Sequence, residues 1–441
     1  MKFPSLKYLL VILCLIVLGA CTSSGASEQH VQSVDELAER YVKTMLRLGQ
    51  HDLDIVDAYY GPEEWKPTAE VKSDSFPAAD FLQELRQVQQ GLSDQDTAGL
   101  SVMDKRRIAM FQKQVLAAIT KVEMMQGKKL PFDEEALLLY DARPPHYELV
   151  YFDSLLQALD DLIPGKGSVT ERWDAYRTRF VIPKEKLDTV FQAAIAEARR
   201  RTKAHYELPA NENFRVEYVT DKPWSGYNYF KGNSYSLIQL NTDFPINIER
   251  AIDLACHEGY PGHHVYNVLL EEELVIKRGW KEYALYPLFS PQSLIAEGSA
   301  NYGIEVAFPK AERMQFEKQV LFPLAGLNPA EADRYYTILD RIGQLNFAGN
   351  EAARLYLDGK ISREEAADLL VKYNFSDKEK ALQRTRFFDR YRSYVINYNL
   401  GQELVRKHVE ARGGTAANPE KRWEVFRELL SNPYSASMLQ Q

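Results

Sequence analysis

Cysteine is scarce in this chain, with three in 441 residues. Cys14 lies in an apolar N-terminal run, Cys21 follows that run, and Cys256 alone belongs to the body of the chain. Once the leader is removed before Cys21 and that residue serves as an anchor, no two cysteines remain to pair. A disulfide-stapled fold is therefore excluded. Cys256 stands next to His257, but neighbouring helical residues point about 100° apart, so it is expected to pack as a small hydrophobe rather than act as a nucleophile. Basic charge is also lacking. The formal net charge is −8, and it reaches −10 when Lys2 and Lys7 leave with the leader. No basic stripe appears, which argues against a nucleic-acid partner. Internal repeats are absent, as are low-complexity blocks beyond a short stretch from Ser23 to Glu28.

What is present begins at the N-terminus. Lys2 and Lys7 precede an apolar run from Tyr8 to Val17, followed by Leu18-Gly19-Ala20-Cys21. The run is too short to span a bilayer, and its charge order is that of a signal peptide. Leu-Gly-Ala-Cys resembles the bacterial lipobox, in which the cysteine is lipidated and becomes the first residue. This predicts a protein of about 421 residues anchored by Cys21 in the bacterial cell envelope. Thr22 is not the aspartate that retains such proteins at the inner membrane, which favours the outer one where the cell has two.

Three of the eight histidines crowd into His257-Glu258-Gly259-Tyr260-Pro261-Gly262-His263-His264. Neutral imidazoles and carboxylates suit a catalytic zinc, with three protein ligands and a fourth position left open. A glutamate beside the first ligand can take a proton from water, so Glu258 is the candidate base. The common His-Glu-x-x-His arrangement puts its histidines at i and i+4 on one helix face. Here i+4 is Pro261, which cannot donate a backbone hydrogen bond, and Gly259 and Gly262 permit unusual backbone angles. A bulge between Glu258 and His263 follows. Looping out two residues brings His263 to the i+4 position, and looping out three brings His264 there. Both remain candidate ligands, with His263 preferred. The approach reads as a helix, with Asn247 as N-cap and Ile248, Ile252 and Ala255 as its buried stripe. The competing reading is a structural or chance histidine cluster.

The third ligand is expected to be Glu297, which opens the small-residue run from Ala296 to Ala307. Its apolar surroundings imply a buried charge that needs a partner. Glu305 and Asp253 are candidates for orienting a histidine.

The pattern His-Glu-x-x-Pro-Gly-His-His, followed by Glu297-Gly298 in a small-residue helix, resembles a bacterial family known as domain of unknown function 885, many of whose members are lipoproteins described as metallopeptidases. It is more distantly similar to thimet oligopeptidases and Taq-type carboxypeptidases. Gly262-His263 matches the Gly-His of those enzymes if two residues are inserted, and Ser290-Pro291-Gln292 stands where they carry Pro-Ser-Gln. The likeness runs from about Phe180 to Glu410, and Tyr398-x-x-Gly401-Gln402 matches a late motif of the same family. Ser299 and Asn301 depart from the commoner pattern of Trp and a small apolar residue, which bears on the shape of the pocket. The resemblance implies a mostly helical fold with a deep cleft that cuts short peptides.

Two further regions are expected to line that cleft. Tyr398 is the candidate donor to an oxyanion, and Arg392 or Arg386 the candidate clamp for a peptide carboxylate. Asn233 to Asn241, with the candidate Tyr235 inside it, alternates polar and apolar residues in part and reads as a strand able to pair with substrate backbone. Trp224, Tyr227, Tyr229 and Phe230 are candidates for a side-chain pocket or for plain core.

Helical signals dominate the rest: Val34 to Leu48, Phe81 to Leu92, Met103 to Met125, Asp133 to Ala142, Lys184 to Tyr206 and Glu420 to Leu430. Asn328-Pro329 and the boxes Ser362-x-x-Glu365 and Ser376-x-x-Glu379 read as helix starts. The expected fold is mainly α and two-lobed, with a central cleft edged by a small sheet. The expected divisions are a leader at 1–20, a tether at 21–34, an N-terminal helical lobe at 35–182 and a catalytic helical domain at 183–441. The expected activity is zinc-dependent hydrolysis of short peptides. A zinc amidohydrolase acting on cell-wall amides and a non-catalytic peptide-binding lipoprotein are the alternatives.

Overall fold

The computed structural model describes residues 32–68, 76–222 and 224–440. The lipobox with Cys21, and nearly all of the tether, lie outside the described residues. The fold is mainly α-helical. The first helix, Val34–Leu48, opens on a capping box: Ser33 Oγ accepts from the Glu36 amide, and Glu36 accepts from the Ser33 amide. Its apolar stripe then buries Leu37, Tyr41, Val42, Met45 and Leu48. Helices at Ala78–Ser93, Val102–Met125, Phe132–Tyr140, Leu187–Lys203 and Pro419–Leu430 match the periodic segments to within a few residues.

Two helix starts differ from expectation. The helix Lys378–Tyr391 is capped by Asp377, whose carboxylate accepts from the Lys380 amide. Phe375 has left-handed backbone angles that end the preceding helix, so Ser376 is linker rather than cap. Asn247 does not cap its helix either. Its amide donates to the Arg177 carbonyl, and the helix Glu249–Leu254 starts without a side-chain cap. Residues Phe180 and Ile182 pair with the backbone of Ile246 and Ile248, which fastens the Ile182-Pro183 break to this helix start.

The strands are β1 (Val56–Tyr59), β2 (Asn213–Val219), β3 (Gly226–Phe230), β4 (Tyr235–Asn241) and β5 (Leu285–Pro287). One sheet has the order β2-β4-β3, with β2 parallel and β3 antiparallel to the central β4. The other is β1 against β5, antiparallel, with a bulge between Val56 and Ala58. The turn from β3 to β4 carries three successive left-handed residues, Gly232, Asn233 and Ser234. It is held because Glu271 accepts from the amides of Asn233 and Ser234.

One contiguous apolar cluster runs from Leu37 to Leu439, with helices from both ends of the chain contributing. At its centre lies the helix Pro291–Ala307, nearly all of it buried. It packs on the helix Ile396–Ala411, backbone to backbone: a Cβ added at Gly298 would sit 2.3 Å from the Gly401 carbonyl carbon. Only glycine at both positions allows that approach. The contact joins the Glu297-Gly298 and Tyr398-x-x-Gly401 motifs in space.

Candidate metal centre

The backbone after the first histidine departs from the α-helix one residue at a time. Ala255–Gly259 form a π-helical turn, in which the Tyr260 amide bonds to the Ala255 carbonyl five residues back. The Gly262 amide then bonds to the Cys256 carbonyl six residues back, at 2.9 Å. In a regular helix Tyr260 would fill that place. Gly262 therefore stands two residues late, and His263 takes the position Pro261 would have had opposite His257. Regular helix resumes as His263–Leu270. Gly262 is obligatory, since a Cβ there would lie 2.0 Å from the His257 carbonyl oxygen. The extra residues are pinned outside the helix. Tyr260 is buried and its hydroxyl donates to Glu212 at 2.6 Å.

This bulge brings His257 Nε2 to 3.1 Å from His263 Nε2. Glu297 Oε2 reaches them at 3.3 Å and 3.7 Å, and one ligand atom from each residue lies within 4.8 Å of the others. These three residues form a group that could hold a metal ion. The fit has two further marks. Glu297 Oε2 is buried without a hydrogen-bond partner, while Oε1 accepts from the Tyr394 hydroxyl at 2.8 Å. His257 Nδ1 lies 2.9 Å from Asn301 Oδ1, and the Asn301 amide donates to the Tyr398 carbonyl. That second bond orients the amide so that its oxygen accepts the Nδ1 proton, leaving a lone pair on Nε2 for a metal. Burial would raise the Glu297 pKa, but the field of His263, with that of His257, holds it well below the usual carboxylate range.

His264 is turned away, which corrects its candidacy. Its Nε2 faces Glu212 at 3.2 Å and its Nδ1 faces Ser236 Oγ at 2.8 Å, inside a pocket with no exposed surface. Burial lowers its pKa despite Glu212, so it is a neutral core histidine. The reason is rotational: His263 and His264 point about 100° apart on the resumed helix, and only one can face the cleft. Cys256 is likewise buried, and burial pushes its thiol far above the ordinary value. The two proposed orienting groups are engaged elsewhere. Asp253 pairs with Arg313 and Arg250, and Glu305 accepts from Gln402. Asn301 stands where they were expected.

The group lines a cleft of about 620 Å³. Glu258 lines it beside His257, buried to 4 % exposure. Strand β3 forms one wall, and its Asn228 side chain donates to the Glu258 carbonyl at 2.7 Å. Gly226 leaves room for the Glu258 carboxylate, since a Cβ there would come within 3.0 Å of Oε1. Tyr398 also lines the cleft, and its hydroxyl has no partner among the described residues. Burial and the nearby Glu297 raise its pKa well above 10, so it carries its proton. Trp224, Tyr227, Tyr229 and Phe230 all line the same wall.

Three other candidates are corrected. Tyr235 does not line the cleft, because β4 is the central strand and both its edges are occupied. Of the two edge strands, β2 and β3, it is β3 that lines the cleft. Arg392 lies past the end of its helix and donates to Glu135 at 2.6 Å. Arg386 is exposed and outside the cleft. Two residues earlier, about 200° around the helix, Arg384 faces in. The cleft also receives Asp57, from the bulge in β1. Burial pushes its carboxyl up to about 7, with His263 pulling down and Glu297, Asp54 and Glu258 adding to the rise. Nothing local in the sequence marks Asp57, which lies 200 residues before the histidines.

No family model and no curated protein matches the chain. Solved structures do. A protein described as a lipoprotein from Colwellia psychrerythraea aligns with TM-score 0.53 at 15% identity, covering 83% of this chain and 66% of its own. This chain thus spans less than two thirds of that protein's length. A lipoprotein of unknown function from Shewanella oneidensis aligns at 0.48 and 13%, covering 82% and 71%. Metallocarboxypeptidase 1 of Trypanosoma cruzi aligns at 0.45 and 12%, covering 90% and 91%. At 15% identity the likeness to the Colwellia protein is one of fold alone.

Proposed function

We propose that this chain is a zinc-dependent peptidase of the bacterial cell envelope, anchored through Cys21, that hydrolyses short peptides. One observation carries the reading: three ligand atoms of the types zinc prefers converge beside a cleft-facing glutamate, with one carboxylate oxygen buried and unpartnered. His257, His263 and Glu297 would hold the ion, and Asn301 fixes the His257 tautomer. When bound, zinc supplies Lewis acidity, which acidifies water and polarises a carbonyl. Glu258 takes the proton from the attacking water and passes it to the leaving amine. The Tyr398 hydroxyl donates to the oxygen that gains charge during attack. The free edge of β3 offers backbone groups to an extended peptide, which binds it without reading its side chains.

The test is metal content and peptide hydrolysis by the purified full chain. About one zinc per chain is expected in the wild type and in Glu258→Gln. Hydrolysis by Glu258→Gln should fall by about 10²- to 10⁴-fold. Full activity in that variant would exclude Glu258 as the base. A protein that binds peptide equally with and without chelator, and turns nothing over, would be a binding module instead. Turnover of cell-wall amides but not of simple peptides would make it an amidohydrolase.

A further inference from the structure

Most charged side chains that line the cleft are neutralised by the protein itself. Asp54 is gripped by Arg390 through two hydrogen bonds, at 2.5 and 2.8 Å. Asp253 is paired with Arg313 and Arg250. Glu297 belongs to the histidine group, and Glu258 to the proposed chemistry. Two charges remain. Among the described residues, no carboxylate pairs with Arg384 and no donor hydrogen-bonds to Asp57. Arg384 rests on the Phe387 ring, 4.2 Å from its centroid, and burial pulls its pKa down against a smaller opposing effect of Tyr398. A guanidinium with unused donors in a partly desolvated cleft is costly unless something fills them.

Asp57 is just as exceptional. It is the extra residue of the β1 bulge: Val56 pairs with Pro287 and Ala58 with Tyr286, so Asp57 has no opposite number. Such a bulge redirects a side chain, here into the cleft. Its surroundings include Tyr229 and Tyr391, whose pKa values its charge helps to raise. A carboxylate among aromatic rings suits an ammonium group. The two charges address different parts of the site. The field of Asp57 falls on His263, whereas that of Arg384 falls on Tyr398.

The geometry points to a cleft that reads both free ends of a short peptide, with Asp57 receiving the α-ammonium and Arg384 the α-carboxylate. This rests on the peptidase reading and deepens it: the substrate class becomes small zwitterionic peptides rather than chain interiors. Arg384 can meet a carboxylate with two parallel hydrogen bonds, the geometry that gives such a clamp its specificity. With both ends inside a cavity of about 620 Å³, longer chains are excluded by length rather than by side chain.

The experiment uses four probes: Ala-Ala-Ala, its N-acetyl form, its C-terminal amide, and the doubly blocked peptide. Binding to the full-length Glu258→Gln protein is measured by calorimetry, and hydrolysis by the wild type is measured alongside. Each block should weaken binding about tenfold or more, as expected for loss of a charged hydrogen bond in a desolvated site. In Asp57→Asn the acetyl group should no longer matter, and in Arg384→Gln the amide should no longer matter. Equal affinity for all four peptides overturns the inference, and needs no variant at positions 57 or 384. Hydrolysis of the doubly blocked peptide as fast as the free one leaves the peptidase standing and removes the two anchors. Tight, end-dependent binding with no hydrolysis by zinc-loaded wild type leaves the anchors standing and removes the peptidase.

Discussion

The adjacent histidines His263 and His264 each join a cluster with a glutamate, and the two clusters behave differently. In one, His264 meets Glu212. In the other, His263 and His257 meet Glu297. Every oxygen of Glu212 is filled: Tyr260 and His264 bond to one, Arg199 and Lys203 to the other. Glu297 has one filled oxygen and one bare one, beside two imidazole nitrogens and open to a cleft. Residue type and burial are shared between the clusters. What separates a metal site from a structural clamp is the valence left over after the protein has satisfied itself.

The largest expected effect lies in exchanging the two histidines. His263→Ala should remove stoichiometric zinc and reduce hydrolysis to background, while His264→Gln should keep zinc and lose thermal stability instead. Metal analysis beside a melting curve reads both, and loss of zinc from His264→Gln alone would reverse the assignment. Next comes the closed cluster. Burial acts to raise the Glu212 pKa, but the hydrogen bonds from His264, Tyr260, Arg199 and Lys203 outweigh it and hold the value at about 2, against an ordinary 4.5. A depressed carboxylate contributes stability above its unfolded pKa and loses it as pH falls through the folded one. The contribution is about 3 kcal/mol at neutral pH, fading between about pH 5 and pH 2. Denaturant unfolding of wild type against Glu212→Gln at pH 7 and pH 3 checks this: the gap should shrink at the lower pH.

A similar loss, about 1–3 kcal/mol or more, is expected for Gly298→Ala, because the added methyl meets the Gly401 backbone rather than a side chain that can turn away. An unchanged melting temperature would show that the two helices can separate freely. The smallest effect is at the open cluster's support. Asn301→Ala should weaken zinc binding about 10- to 100-fold while leaving the metal-free protein as stable as before. A competitive chelator titration measures it.

Much of the helical frame was legible from local chemistry. The stripe and box of Val34–Leu48 and the box at Ser362 each specify a helix start within a few residues. The bulge was legible too, because proline at i+4 and flanking glycines leave a helix few choices. Side-chain direction was not. Arg384 and Arg386 have the same chemistry two residues apart, and helix rotation alone sends one to the cleft and the other to solvent. Tyr394 could not be singled out, and Asn301 was marked only as a departure from the family pattern and not as the partner of His257, since tyrosine and asparagine have bland readings almost everywhere. The sheet order was hidden for a related reason: an alternating strand reveals that one face is buried, but not whether its edges are paired.

By itself the sequence determined which residues could chelate, because ligand chemistry is a property of side chains, and where the helix between them had to break, because proline lacks an amide hydrogen. Tertiary structure alone decided which histidine faces the cleft, which glutamate keeps a bare oxygen, and which two charges go unpaired. Those outcomes depend on partners far off in sequence, 52 residues away for Glu212 and His264 and 97 for Tyr394 and Glu297. Glu212 closes around His264, and Asp57 arrives from the first strand, only after the chain has packed into one core.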